Sequence, residues 1–113
     1  MGEPRIFEIG TELLRLSRDG KLEWKQGYRS NEYDVFVLEL LATVSWHDDA
    51  RYFRLKLSDD TGRVIASMER RPSAFDPIPD PGRPPDLEEL YRLAEGYVEK
   101  GSLERTLQYL KQS

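Results

Sequence analysis

Two stretches of the chain alternate apolar and polar side chains in a way that suits strands with one buried face. The clearer one runs Arg51-Tyr-Phe-Arg-Leu-Lys-Leu-Ser58, turns at Asp59-Asp60-Thr61-Gly62, and resumes as Arg63-Val-Ile-Ala-Ser-Met-Glu-Arg70. Pairing Ser58 with Arg63 sets Phe53, Leu55 and Leu57 against Met68, Ala66 and Val64 on a buried face. Tyr52, Arg54, Lys56, Ser67 and Glu69 then point outward, and so does Ile65. The second stretch, 12–26, reads as a hairpin whose three-residue loop ends in a left-handed Gly20. That register places Leu16 opposite Leu22, Leu14 opposite Trp24 and Arg15 opposite Glu23. Arg5–Ile9 adds another short strand, with Gly10 as a break.

Residues 33–46 fit two periods. As a helix capped near Ser30 or Asn31, they align Tyr33, Phe36, Val37, Leu40, Leu41 and Val44 on one stripe. As a strand, Leu40, Ala42, Val44 and Trp46 alternate with Glu39, Leu41, Thr43 and Ser45, and His47-Asp-Asp-Ala50 forms the following turn. The β-branched residues and the absence of Lys or Arg favour the strand.

Six of the seven prolines fall between Pro72 and Pro85. Fixed φ angles and missing N–H donors make 71–85 an extended surface crossing, with Phe75 and Ile78 pinning it to the sheet. Asp86 then caps a helix whose stripe is Leu87, Leu90, Tyr91, Ala94 and Val98. Gly101 ends that helix, and Ser102 caps a second one whose Leu103, Leu107 and Leu110 face back onto the first. The expected fold is therefore α+β: an antiparallel sheet of about four to six strands, a proline-rich crossing and a C-terminal helical hairpin over 86–112. Residues 1–113 form one domain, with the sheet region at 5–70, since about 27 residues beyond the crossing are too few for a second core.

Leu90, Leu93, Ala94, Tyr97 and Gly101 stand at spacings that resemble one tetratricopeptide unit. The likeness covers about twenty residues and departs at Thr106, where that family's second helix has a small alanine. It implies an antiparallel helix pair. A lone unit builds no peptide groove, so no function follows from it.

Charge and composition narrow the chemistry. Seventeen basic against twenty-one acidic residues give a net charge of −4, the wrong sign for a general polyanion binder. The chain has no cysteine, which removes disulfides, thiolate metal sites and cysteine nucleophiles. The N-terminal sequence carries neither a signal peptide pattern nor a membrane span, and a cytoplasmic location is expected.

His47 is the only histidine. It stands beside Asp48 and Asp49, but three consecutive side chains do not converge on one ion from an extended backbone. Asp59-Asp60-Thr61-Gly62 lacks the remainder of a calcium loop. No nucleophile elbow, phosphate loop or dinucleotide fingerprint occurs, so no catalytic, cofactor-binding or metal-binding residue is assigned and no cofactor is expected.

The candidate partner-binding residues are Tyr52, Arg54, Lys56, Arg63, Arg70 and Arg71, the most basic surface in this register. Aromatics among cations suit a stacking and phosphate-binding platform. Elimination favours a non-enzymatic protein-interaction module, an adaptor, assembly factor or small inhibitor, that docks a protein partner or a second copy through a sheet edge or the helical hairpin. The alternative is a nucleic-acid-binding accessory domain that uses the basic outer sheet face.

Overall fold

The computed structural model describes residues 3–72 and 85–112. It contains helix α1 (Glu3–Arg18), strands β1 (Lys25–Gln26), β2 (Glu32–Val37), β3 (Leu40–His47), β4 (Tyr52–Ser58) and β5 (Val64–Arg70), and helix α2 (Leu87–Gln112). The strands form a five-stranded antiparallel meander in the order β1-β2-β3-β4-β5. The architecture is thus the expected α+β class, with two differences in its helices.

The first difference is α1. Ile6, Gly10, Leu13, Leu14 and Ser17 repeat at helical spacing, and Ile6, Leu13 and Leu14 are buried against the sheet. No 12–26 hairpin forms, and Arg5–Ile9 is helical. Gly20 does adopt the left-handed conformation, at φ 69°, but as a helix stop. Gly20 N–H donates to the Ser17 carbonyl at 3.1 Å and Lys21 N–H to the Leu16 carbonyl at 2.9 Å, the pair of bonds that closes a Schellman C-cap. Trp24 follows, buried, with its indole N–H donating to Ser17 Oγ at 2.9 Å.

Residues 33–46 are strand on both sides of a tight turn. Tyr33 pairs with Val44 and Val35 with Ala42, which puts all four on the buried face. The β4–β5 hairpin forms, with a register two residues from the expected one. Leu55 lies opposite Met68, Leu57 opposite Ala66, and Phe53 opposite Arg70. A shift of two leaves these side chains on their own face, so Phe53, Leu55, Leu57 and Met68 stay buried and Ala66 partly so.

The register is set at the turn. One Asp59 carboxylate oxygen accepts from Thr61 N–H at 3.0 Å, Thr61 Oγ1–H at 2.6 Å and Arg63 N–H at 3.0 Å, and these bonds hold the carboxyl below its usual range. Ser58 then pairs with Val64, and between that pair and Leu57–Ala66 the extra residue on β5 is Ile65. Val64, expected inside, is about half exposed.

Both helices cover the same sheet face. The buried apolar residues form one cluster centred on Val44, Leu55, Leu87 and Leu90. Burying a side chain of that size contributes about 1.5–3 kcal/mol. Tyr91 of α2 stacks edge-on against Tyr33 of β2 at 5.3 Å and meets Phe53 of β4 at 5.5 Å, so α2 crosses the strands.

The second difference is that α2 is one continuous helix, not a hairpin. Asp86 caps it, its Oδ1 accepting from Glu89 N–H at 3.1 Å. Gly101 lies within it and is not among the left-handed glycines, Gly20 and Gly62. The antiparallel pair implied by the tetratricopeptide likeness is therefore not formed. The expected proline-rich crossing, with Phe75 and Ile78, falls mainly on 73–84, outside the described residues. No described helix is long and apolar enough to cross a membrane.

Candidate interaction site

The outer face of the sheet carries the residues that the sequence singled out, and it divides them. Tyr52, Arg54 and Lys56 share that face. Arg63 lies in the turn beyond Ser58, roughly 20 Å along β4 from Tyr52 at 3.4 Å per residue. Arg70 pairs with Phe53 on the helix side, its guanidinium reaching the Pro85 carbonyl at 3.5 Å, and Arg71 is exposed past the strand end. The six do not make one platform.

Acids interleave with the three cations that remain on that sheet face or at its β1 margin. Arg54 Nη2 donates to Glu69 Oε1 at 2.6 Å and to the Tyr52 hydroxyl at 2.8 Å, with its guanidinium carbon 5.3 Å from the Tyr52 ring centre. Asp34, opposite Lys25, accepts from Thr43 Oγ1–H at 2.8 Å. The local charge is close to balanced.

His47 stacks on Tyr52 with ring centres 4.6 Å apart, and its Nε2 lies 3.0 Å from Ser45 Oγ. This pair resembles a nucleophile and base, but Ser45 is only 5% exposed, so its hydroxyl is sheltered from a substrate. Asp48 and Asp49 sit exposed in the following turn. Among the described residues no group of three or more carboxylates and histidine could hold a metal ion.

An apolar surface that the sequence reading passed over lies at the other end of the sheet. Val37 pairs with Leu40, so β2 and β3 are joined by only Leu38 and Glu39. Such a two-residue turn calls for left-handed backbone, and glycine or asparagine normally supplies it. Here Leu38 does so, at φ 57°, a conformation that costs a side chain with a Cβ roughly 1–2 kcal/mol. The residue is 96% exposed, so packing among the described residues offsets almost none of that cost.

Apolar surface continues on both sides of this tip. On the outer face, Phe36, Leu41, Ser58 and Val64 form a cross-strand row, with Phe36 69% exposed and Ile65 half exposed beside it. On the helix side, Ile9 and Leu13 of α1 face Val37, Leu40 and Leu57 across an open groove of about 580 Å³. Glu39 supplies the only charge in that lining. The readable signal was the run Phe36-Val37-Leu38 at a turn without glycine, asparagine or proline.

Comparison with protein-family models, with curated proteins and with solved structures finds no match for this chain.

Proposed function

We propose that this chain is a non-enzymatic protein-interaction module, of the adaptor, assembly-factor or small-inhibitor kind, and that it docks through the apolar end of its sheet. The observation that carries this reading is Leu38, held left-handed and bare at the β2–β3 turn. A large apolar side chain in a conformation it disfavours, with no partner face among the described residues, is explained by a contact made outside them. Phe36 and Ile65 extend the contact on one side, and the Ile9–Leu13 groove accepts an apolar side chain on the other. A short apolar protein segment fits this chemistry better than a lipid surface, because Glu39 stands at the tip.

The nucleic-acid alternative draws on Arg54 and Tyr52, but Glu69 already holds that guanidinium and Asp34 faces Lys25. The cysteine-free composition suits the reducing cytoplasm, where we place the module.

The test is affinity capture from the native host with the intact chain and with Leu38→Gly. Glycine keeps the backbone conformation and deletes the anchor. A partner retained by the intact chain and lost at least tenfold by the variant, with unchanged circular dichroism, is the expected result. Equal capture by both chains would remove the hairpin tip from the interaction.

A further inference from the structure

The apolar stripe of α2 changes sides part-way along the helix. Leu87, Leu90 and Ala94 are fully buried, and at 100° per residue their face continues through Gly101, Arg105, Gln108 and Gln112. Leu103, Leu107 and Leu110 lie about half a turn away, 71%, 53% and 62% exposed. The groove between α2 and Trp24, Lys25 and Gln26 is lined by Tyr97, Gly101, Glu104, Leu107, Gln108 and Lys111, and it includes neither Leu103 nor Leu110. The second half of α2 therefore passes the β1 edge with Leu103 and Leu110 turned away from its own core and Leu107 half exposed beside the groove.

We propose that this projecting segment pairs antiparallel with the same segment of a second copy of the chain. The proposal goes beyond the docking role of the hairpin tip and does not depend on it. The leucine spacings of four and three are those of a two-helix seam. The charges beside the seam choose both the partner and the direction. One flank carries Glu104 and Lys111, and the other carries Glu99 and Thr106.

Parallel copies would bring Glu99 against Glu104 twice, a like-charge contact. In antiparallel copies like flanks meet, and when Leu107 lies opposite Leu110 of the second copy, Glu104 lies opposite its Lys111. Two-fold symmetry makes the same contact again. The helix face is thus complementary to itself in one direction only.

In this register Leu107 and Leu110 of each copy form the seam, and they cover less than half of the roughly 800 Å² per partner found in stable complexes. A weak, reversible dimer follows, with a dissociation constant on the order of 0.1 mM. Sedimentation equilibrium of the full chain from about 0.02 to about 1 mM brackets that constant. The weight-average mass should climb from 13.2 kDa toward twice that value. Leu110→Glu should hold it at the monomer value at every concentration, with an unchanged melting temperature, since that side chain is exposed and lines no groove of its own fold.

Glu104→Lys alone and Lys111→Glu alone should each weaken association several-fold, and the double exchange should restore it. A mass that stays monomeric at 1 mM overturns the proposal, whether the segment is bare, folds back on the Trp24 groove or takes another protein. Strengthening by Glu104→Lys overturns the antiparallel arrangement, because that change would relieve only the parallel contact. Failure of the double exchange to rescue overturns the Glu104–Lys111 pairing. None of these outcomes bears on Leu38, which the capture experiment tests separately.

Discussion

Arg18 at the end of α1 grips Glu89 in the first turn of α2 with two parallel bonds, Nε to Oε2 at 2.5 Å and Nη2 to Oε1 at 2.6 Å. The pair joins the C-terminus of one helix, where a cation suits the exposed carbonyls, to the N-terminus of the other, where an anion suits the exposed N–H groups. It also spans 71 residues of sequence and ties both helices together on the sheet face they cover.

The Arg18 hydrogen bond holds the Glu89 carboxyl below the usual glutamate range and raises the guanidinium correspondingly. A carboxyl with a lowered folded pKa contributes stability above its unfolded pKa and loses it as the pH falls through the folded value. Both side chains are partly exposed, so solvent screening limits the effect to about 0.5–1 kcal/mol. Glu89→Gln should lower stability by that amount at pH 7 in urea unfolding. The difference from the native chain should vanish in acid, where Glu89 is protonated.

Tyr91 gives the opposite signature at high pH. Burial, reinforced by Tyr33 and Glu95, pushes its phenol up to about 12. A raised acid is an asset to the fold below the unfolded tyrosine pKa of about 10, and that asset is lost as the pH rises through 12. Ultraviolet titration of tyrosinate should show a late-ionising component. Tyr91→Phe should diminish it, leaving the burial-raised Tyr33, and flatten the fall in stability between about pH 10 and 12.

Leu38→Gly should move stability and binding in opposite directions. Removing Cβ from a left-handed position relieves roughly 1–2 kcal/mol of strain, and glycine's greater unfolded freedom takes back part of it, leaving a gain of up to about 1 kcal/mol. In a chain of this size that gain corresponds to a melting temperature higher by roughly 3–6 °C. Scanning calorimetry reads the shift. A lower melting temperature would mean that Leu38 packs within the fold, and it would undercut the docking role.

Much of the sheet was legible because its signals are local. Phe53, Leu55 and Leu57 alternate with Tyr52, Arg54 and Lys56, and period two specifies the buried face whatever the register. The register itself depended on the Asp59 carboxylate, whose three bonds within the turn no alternation pattern encodes. The first helix is hidden from local patterning because Gly10 resembles a break. The repeat of Ile6, Leu13, Leu14 and Ser17 spans that glycine, whereas Leu14 and Leu16 alone mimic a strand.

The expected helical hairpin has a physical origin too. Leu103, Leu107 and Leu110 are out of phase with Leu90 and Ala94, and folding the chain back at Gly101 was the one way to bury both sets within a monomer. Continuing the helix satisfies the backbone and leaves the second set exposed. Tyr52, Arg54 and Lys56 share one face, as their alternation with Phe53, Leu55 and Leu57 requires. The apolar tip at Leu38 is not legible from turn rules, because a leucine at φ 57° contradicts ordinary turn chemistry.

Glycine substitutions separate these readings of the two helices. Alanine normally stabilises a helix interior by roughly 0.5–1 kcal/mol over glycine. At Gly10 the sign should reverse, because a Cβ there would stand 2.6 Å from Pro85 Cγ and 3.2 Å from Leu55 Cδ2. The proline ring cannot swing away, and Gly10→Ala should cost about 1–3 kcal/mol as an overpacked contact. At Gly101 a Cβ meets nothing within 4 Å. Gly101→Ala should therefore stabilise the continuous helix and deepen the helical circular dichroism signal. Were Gly101 the left-handed stop of a helical hairpin, the same alanine would be strained, and the melting temperature would fall instead of rising.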